Sequence, residues 1–399
     1  MKKTIIIGIV VVAAAAFVWS KWETWFGNPD EPAYAPQAVP GRVMLTMGGG
    51  DEGCVPDETC RNISWQYGDE VVDDSYVELN GDTIPAKGEV FQSRGGKACY
   101  YHAKLKNLLP DSIYRYRVHN GDKVSEWYQF RTYTTDSFAF LYAGDIQDTV
   151  GGCTNALLRR AVESHPDVQF IALGGDLAER PIDYYWQEVY DGFDGLRQSF
   201  PIVDITGNHD YLKGVICRLE RRYPLIFSYY LDSKVGDNMV YTFRYGDMQI
   251  FCLDSNREFF YLPAQRKWLK ERLSESQARW KIVMLHHPLH SIGGAVNNLI
   301  QRWFFDDVIR ENGVNLVLQG HEHAYARMEK DGTTYTISHC SPKNYKTSQD
   351  DRFDKVVKTG RFYQIVRIDS SGMVMEAYNA DSGELVDKVA RVADATGSK

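Results

Sequence analysis

No Cys-x-x-Cys pair occurs among the seven cysteines of this chain, so no cysteine spacing points to a structural zinc site. Positive charge is also scarce. Forty-five Lys and Arg face 53 Asp and Glu, a formal net charge of −8, and that balance argues against general binding to nucleic acid or to anionic membrane surfaces. The longest apolar run, Ile5–Trp19, falls short of the ~20 residues of an ordinary membrane span. With 44% hydrophobic and 25% charged residues, the composition leaves no room for a large disordered tract. None of this excludes an anionic substrate, because bound cations would set the local field.

Lys2 and Lys3 precede the run Ile5–Trp19, and Ser20 and Lys21 close it. Residues 1–27 therefore read as a signal peptide or an N-terminal membrane anchor, with residues 5–19 as the tether. Ala33-Tyr34-Ala35 offers a cleavage pattern, although Pro36 comes directly after it. In both cases the positive end stays in the cytoplasm. The remainder is expected to be exported: periplasmic, secreted or anchored facing outward. Export permits disulfides. Cys54 and Cys60 share one loop-like segment and could pair with each other, or one of them with Cys99; the odd total leaves at least one thiol free or paired elsewhere. Cys252 lies in an apolar strand and reads as a core residue.

A chain of 399 residues suits two domains. Residues 28–40, rich in Pro, Ala and polar residues, read as a linker. Residues 41–134 hold short alternating strands, among them Arg42–Met47, Asn62–Tyr67, Ala98–Leu105, Tyr114–His119 and Trp127–Thr132. This pattern predicts an all-β sandwich. Within it, Leu105–Tyr116 resembles the strand-to-strand corner of fibronectin type III domains, which implies a scaffold or interaction role. Residues 135–399 change pattern. Apolar runs at Phe138–Ala143, Val168–Leu173, Pro201–Thr206, Met248–Leu253, Lys281–Leu285 and Val314–Leu318 alternate with helical stretches at Asn155–Ser164, Pro181–Ser199, Pro263–Arg279 and Asn297–Asn312. The expectation is an α/β domain of buried mixed sheets flanked by helices. Phe362–Asp369 and Met373–Asn379 should complete a sheet, and the stripe Gln265, Trp268, Leu269, Leu273 should face the core.

The residues at the carboxyl end of each apolar run are more informative than the runs themselves. The five runs that begin at Phe138, Val168, Pro201, Lys281 and Val314 lead into Gly144-Asp145, Gly175-Asp176, Gly207-Asn208-His209-Asp210, His286-His287 and Gly320-His321-Glu322-His323. In an open α/β sheet the carboxyl ends of the strands converge on one crevice. One Asp after a strand is ordinarily a helix cap, and one His-x-His is ordinarily structural. Five junctions carrying nitrogen and oxygen ligands point instead to a metal site. The absence of thiolate among them suits Fe, Zn or Mn, and one carboxylate could bridge two cations ~3.5–4 Å apart.

This series resembles the calcineurin-like metallophosphoesterases over residues 137–345. Gly320–Arg327, with a sandwich domain in front, is similar to purple acid phosphatases. The resemblance implies two divalent or mixed-valence metal ions of undetermined pair. Asp176 would bridge them, Asp145 and His323 would hold the first, and Asn208, His286 and His321 the second. Asn208 and His209 would also contact the phosphate, with His209 as the acid for the leaving oxygen. The implied activity is hydrolysis of phosphate monoesters by a metal-bound hydroxide. A phosphodiesterase is the alternative within the superfamily, and a surface binding module with a structural or degenerate metal site is the alternative of another class.

Two positions depart from the family pattern. The tyrosine expected three residues after the bridging aspartate is Glu179, so the iron–tyrosinate colour should be absent, and the Asp-x-His of other members is Asp145-x-Gln147. Glu179, or secondarily Gln147, is expected to supply the missing ligand; the competing expectation pairs Glu179 with Arg180. His287 and His290 are lesser candidates for substrate contact, equally suited to supporting hydrogen bonds. Tyr325 and Arg327 read as supports of the His321–His323 loop, and His339 as a structural histidine. The expected partner is a phosphorylated small molecule, with no nucleic-acid scaffold; oligomeric state is not legible.

Overall fold

The computed structural model describes residues 16–48, 55–147, 153–229, 235, 239–256, 261–294, 297–344 and 350–393. Two large mixed sheets face each other, and their strands form where the apolar runs predict them. Phe138–Ala143 and Val168–Leu173 are buried at every residue, as expected of central strands covered on both faces. They pair in parallel with each other, and Val168–Leu173 pairs in parallel with Ile202–Asp204. On the other side of Phe138–Ala143 the antiparallel tail strands Phe362–Ile368, Gly372–Asn379 and Leu385–Val392 are added in that order. The second sheet runs Tyr241–Tyr245, Met248–Cys252, Trp280–Met284, Leu316–Gln319, Thr333–Ile337, Tyr325–Lys330, Lys355–Val357.

Aromatic packing joins the two sheets. Phe140 stacks on Phe170 at 4.9 Å between ring centroids, and Phe170 meets Tyr245 of the opposite sheet at 5.3 Å. The helices Leu262–Glu275 and Leu299–Glu311 cover the second sheet through Trp268, Leu269, Leu273, Phe305 and Val308. Gln265, Trp268, Leu269 and Leu273 are all buried, as their spacing predicts. The helices Cys153–Ser164 and Asp183–Gly192 pack on the first sheet with Leu158, Ala161, Trp186 and Val189 in its core.

The N-terminal strands form a β-sandwich whose first sheet continues the ten-stranded sheet. Gly41–Met47 pairs in parallel with Ile202–Asp204 at Thr46↔Ile202, then antiparallel with Arg61–Gln66, followed by Lys97–Leu105 and Lys87–Gln92. Successive residues of a strand point to opposite faces. Val43 and Leu45 accordingly enter the sandwich core while Met44 enters the core of the larger unit. The facing sheet holds Asp82–Pro85, Ser75–Leu79, Ile113–Asn120 and Lys123–Val124, with Tyr128–Arg131 also on Ile113–Asn120.

Some expectations need correction. Part of the linker is clamped: the Glu31 carboxylate, 2% exposed, accepts hydrogen bonds from Arg222 at 2.7 Å, from the Asp183 backbone N–H at 2.9 Å and from the Gly95 N–H at 3.0 Å. The helix expected to reach Ser199 ends at Gly192, because the chain turns through Gly195 at a φ of +76°. Cys60 and Cys99 are not joined to each other, and Cys54 lies outside the described residues. Most of the 5–19 run also lies outside them. Among the described residues no helix is long and apolar enough to cross a membrane.

Candidate metal centre

Donor atoms of Asp145, Asp176 and His286 lie within 4.8 Å of one another, and all three residues are buried. The first two come directly after parallel strands of one sheet, and His286 after Trp280–Met284 of the other. His286 Nε2 is 3.3 Å from Asp176 Oδ2 and 3.2 Å from Asn208 Oδ1. His321 Nδ1 lies 3.0 Å from the same Asn208 oxygen. His323 Nε2 lies 3.5 Å from Asp145 Oδ1. Outer hydrogen bonds set two of the rings: His286 Nδ1 is 2.8 Å from the Gly174 carbonyl, and His323 Nδ1 is 2.8 Å from the Lys343 carbonyl. With Nδ1–H donated there, each Nε2 lone pair is left for the cluster.

The backbone bends sharply to bring these groups together. Asp145, Asp176 and His321 have φ of 45°, 54° and 70°. L-residues rarely occupy this region, and such strain persists only where the surroundings over-determine it. Here they do. The His321 N–H donates to Asp145 Oδ2 at 2.6 Å, and the His209 N–H donates to Asp176 Oδ1 at 2.7 Å. Asp210, fully buried, accepts from the Gly207 N–H at 2.7 Å and the Asp176 N–H at 3.2 Å. A Cβ at Gly207 would collide with the Asp176 carboxylate, and one at Gly320 with that of Asp145.

Burial opposes charge on His286, but the Asp176 and Asp145 carboxylates outweigh it and push it up to about 10. Burial and the neighbouring His286 push His321 down to about 4. Asp210 is raised well above the carboxylate range by burial and by Asp176. The site thus holds buried donor atoms that protein groups only partly satisfy: Asp145 Oδ1 and Gln147 Oε1 are buried without a hydrogen-bond partner. Carboxylate, carboxamide and imidazole donors with free lone pairs at this spacing fit hard or borderline cations.

The structure sorts the remaining sequence candidates. Gln147 stands at the cluster, with Nε2 donating to Asp176 Oδ2 at 2.9 Å. Glu179 does not join it: its carboxylate pairs with Lys343, while Arg180 donates to the Glu179 carbonyl at 3.1 Å. His209 is half-buried, with Nδ1 2.7 Å from both the Glu179 carbonyl and Arg180 Nη1. His287 packs its ring 4.4 Å from that of His321, with Nδ1 3.0 Å from Ser255 Oγ. His290 is directed elsewhere, with Nε2 3.0 Å from Asp306 Oδ1 in a buried network with Tyr335. Tyr325 and Arg327 both donate to Asp387, at 2.9 and 2.7 Å, and His339 stacks on His323 at 5.1 Å. Two contributors carry no signal of their role in the sequence. Asp210 stands within Gly-Asn-His-Asp, but only the fold shows what it holds. Lys343 is 164 residues from Glu179, and no local pattern links them.

Comparison with known proteins agrees with this geometry. Residues 138–325 match the calcineurin-like phosphoesterase family, and residues 55–132 match the purple acid phosphatase N-terminal domain. Purple acid phosphatase 23 of Arabidopsis thaliana is 22% identical over 346 residues, 70% of this chain and 74% of that protein. Purple acid phosphatase 18 of the same plant is 25% identical over 251 residues, 59% of this chain and only 54% of its own length. The structure of purple acid phosphatase PPD1 from yellow lupin (Lupinus luteus) seeds superimposes with a TM-score of 0.74 at 15% identity, covering 89% of this chain and 74% of that one. The chain therefore carries a calcineurin-like phosphoesterase domain over residues 138–325, with a purple acid phosphatase N-terminal domain over residues 55–132 ahead of it.

Proposed function

We propose that this protein hydrolyses phosphate monoesters outside the cytoplasm, with residues 135–399 as the catalytic domain and residues 41–134 as a brace. The observation that carries the reading is the convergence of Asp145, Asp176 and His286 donor atoms within 4.8 Å, with His323 and Asn208 alongside. Asp145, Asp176 and His323 would hold one cation, and Asp176, Asn208, His286 and His321 the other. When bound, the two ions supply Lewis acidity and an activated water at neutral pH.

The chain's own residues do the rest. Asn208, the exposed member of the set, reaches the incoming phosphate. The His209 ring is held through Nδ1 at the Glu179 carbonyl, 2.7 Å away, which leaves Nε2 to protonate the departing oxygen. Arg180, whose Nη1 lies 2.7 Å from His209 Nδ1, places positive charge beside that position and offsets the anionic phosphate. Gln147, already at the cluster, is better placed than Glu179 to complete the first metal's shell, because Lys343 holds the Glu179 carboxylate.

The test is para-nitrophenyl phosphate hydrolysis after chelation and re-addition of Zn²⁺, Mn²⁺ or iron, with Asp176→Asn in parallel. Metal-restored turnover that Asp176→Asn abolishes is the expected result. A folded protein that binds no metal and turns over no monoester would sink the reading. Faster turnover of the bis-ester would shift it to a phosphodiesterase.

A further inference from the structure

We propose that the N-terminal segment is retained in the mature protein and that, with the hairpin tip Lys213–Ile216, it seats the phosphoesterase on a lipid bilayer. Three observations meet here. The first concerns retention. Cleavage after Ala35 would remove Glu31, which is 2% exposed and accepts from Arg222 at 2.7 Å, and would strip the buried Arg222 of that carboxylate and of the Tyr34 ring beneath it. Removing one partner of a buried ion pair is strongly destabilising. Tyr34, which also hydrogen-bonds Gly95 through its backbone N–H at 3.1 Å, would go with it. Residues 28–35 thus pack as part of the folded body, which disfavours cleavage at the Ala33-Tyr34-Ala35 pattern and favours a chain that keeps the residues before it.

The second observation is the surface that precedes them. The helical turns over residues 16–26 expose Phe17, Trp19, Trp22 and Trp25 at 57%, 81%, 44% and 44%. Water-facing aromatics in this number mark an interaction surface. Trp at the end of an apolar run is the residue of the membrane–water interface, and the run Ile5–Trp19 ends among these residues.

The third observation is that the hairpin tip is tied to this helix. Asn28 Nδ2 donates to the Lys213 carbonyl at 2.9 Å, the Lys213 N–H donates to Asn28 Oδ1 at 2.8 Å, and Lys213 Nζ reaches the Thr24 carbonyl at 3.3 Å. The same tip holds out Val215 and Ile216, 72% and 59% exposed, flanked by the cations Lys213 and Arg218. Apolar side chains at a loop apex with cations around them match the layering of acyl chains beneath phosphate headgroups. The hairpin begins at Tyr211, directly after Asn208–Asp210, so docking through it would hold the metal site close to the bilayer.

The experiment uses the full chain reconstituted into phosphatidylcholine vesicles. An environment-sensitive fluorophore is placed at Ile216→Cys in a Cys217→Ser background, with Ile113→Cys, equally exposed at 59% on the sandwich, as the comparison site. The expected result is blue-shifted emission at position 216, quenching by brominated acyl chains and shielding from aqueous iodide, with none of these at position 113. Adding Val215→Asp should abolish the acyl-chain quenching. Intact mass of the membrane-purified protein should show a chain that still contains Glu31. Emission at position 216 as water-like as at 113 would overturn the proposal, as would a mature chain starting after Ala35. Iodide shielding without acyl-chain quenching would also overturn it and assign the tip to a protein partner. None of these readouts depends on turnover, so failure here is distinct from failure of the phosphatase reading.

Discussion

Gly207 is the position where a single methyl group should disable the metal centre without touching a ligand's own side chain by substitution. Its backbone, at φ −100° and ψ 176°, suits any residue, so Gly207→Ala carries no conformational penalty of its own. A Cβ there would overlap Asp176 at its Oδ1, Cγ and backbone N. The carboxylate cannot simply step aside, because Oδ1 also accepts the His209 N–H at 2.7 Å and the Asp176 backbone already sits at φ 54°. Overpacking of this kind costs ~1–3 kcal/mol. If the displaced carboxylate bears that cost, metal affinity falls by about 5- to 150-fold. The assay is metal titration of the chelated protein with bound metal read by mass spectrometry, alongside turnover of para-nitrophenyl phosphate. Gly192→Ala, whose Cβ would meet only Thr154 Cβ at 3.9 Å, is the control. A Gly207→Ala protein that loads two ions with unchanged affinity would refute the assignment of Asp176 as the carboxylate between them.

Three further outcomes are expected. Glu220 is pushed up to about 7 by burial, against an ordinary value of 4.5. The folded state therefore keeps a proton that the unfolded chain has lost, and stability should fall by on the order of 3 kcal/mol as pH rises from about 4.5 to about 7. Glu220→Gln should flatten that slope in urea denaturation at stepped pH, and an unchanged slope would remove Glu220 as its source. Glu31→Ala should cost ~3–5 kcal/mol by stranding buried Arg222, visible as a thermal midpoint several degrees lower; an unshifted midpoint would mean that Glu220 and Asp183, each 3.7 Å from Arg222, suffice. Gln147→Ala should lower metal content while Glu179→Ala leaves it whole, and the reverse pattern would return Glu179 to the ligand set.

The parts of the fold that are legible in the sequence share a physical reason. Phe138–Ala143 and Val168–Leu173 are covered on both faces, so burial forces an unbroken apolar run that ends where the ligands begin. The core stripe of Leu262–Glu275 is legible from helical period alone. The illegible parts lack a local cause. Leu385–Val392 is an edge strand that is exposed or half-exposed throughout, so its pattern is broken by Asp387, Lys388 and Arg391. Gly41–Met47 shows ordinary alternation, and nothing in it tells that one face belongs to the larger core. Glu31 looks like a linker residue because its partners, Arg222, Asp183 and Gly95, are between 64 and 191 residues away. At the metal centre the ligand types are readable, whereas the disposition of Glu179 is not, since it is decided by Lys343.

The continuous sheet gives the N-terminal domain a physical part in the chemistry. Ile202–Asp204 leads to Asn208 and His209, and among the described residues its outer side pairs only with Gly41–Met47. A three-residue strand at a free edge would be poorly held, because each lost ladder bond leaves buried backbone groups unpaired. The strand from the sandwich closes that edge, and Arg42 ties it to the helix Asp183–Gly192 through Asp183 at 2.7 Å. Asp204 is fully buried, raised well above the carboxylate range by burial and by Asp210, and hydrogen-bonded by Tyr223. The loop that carries Asn208 and His209 therefore hangs from a strand whose placement depends on both domains. The strand from the sandwich thus supplies the outer edge of the strand that leads to the Asn208 turn.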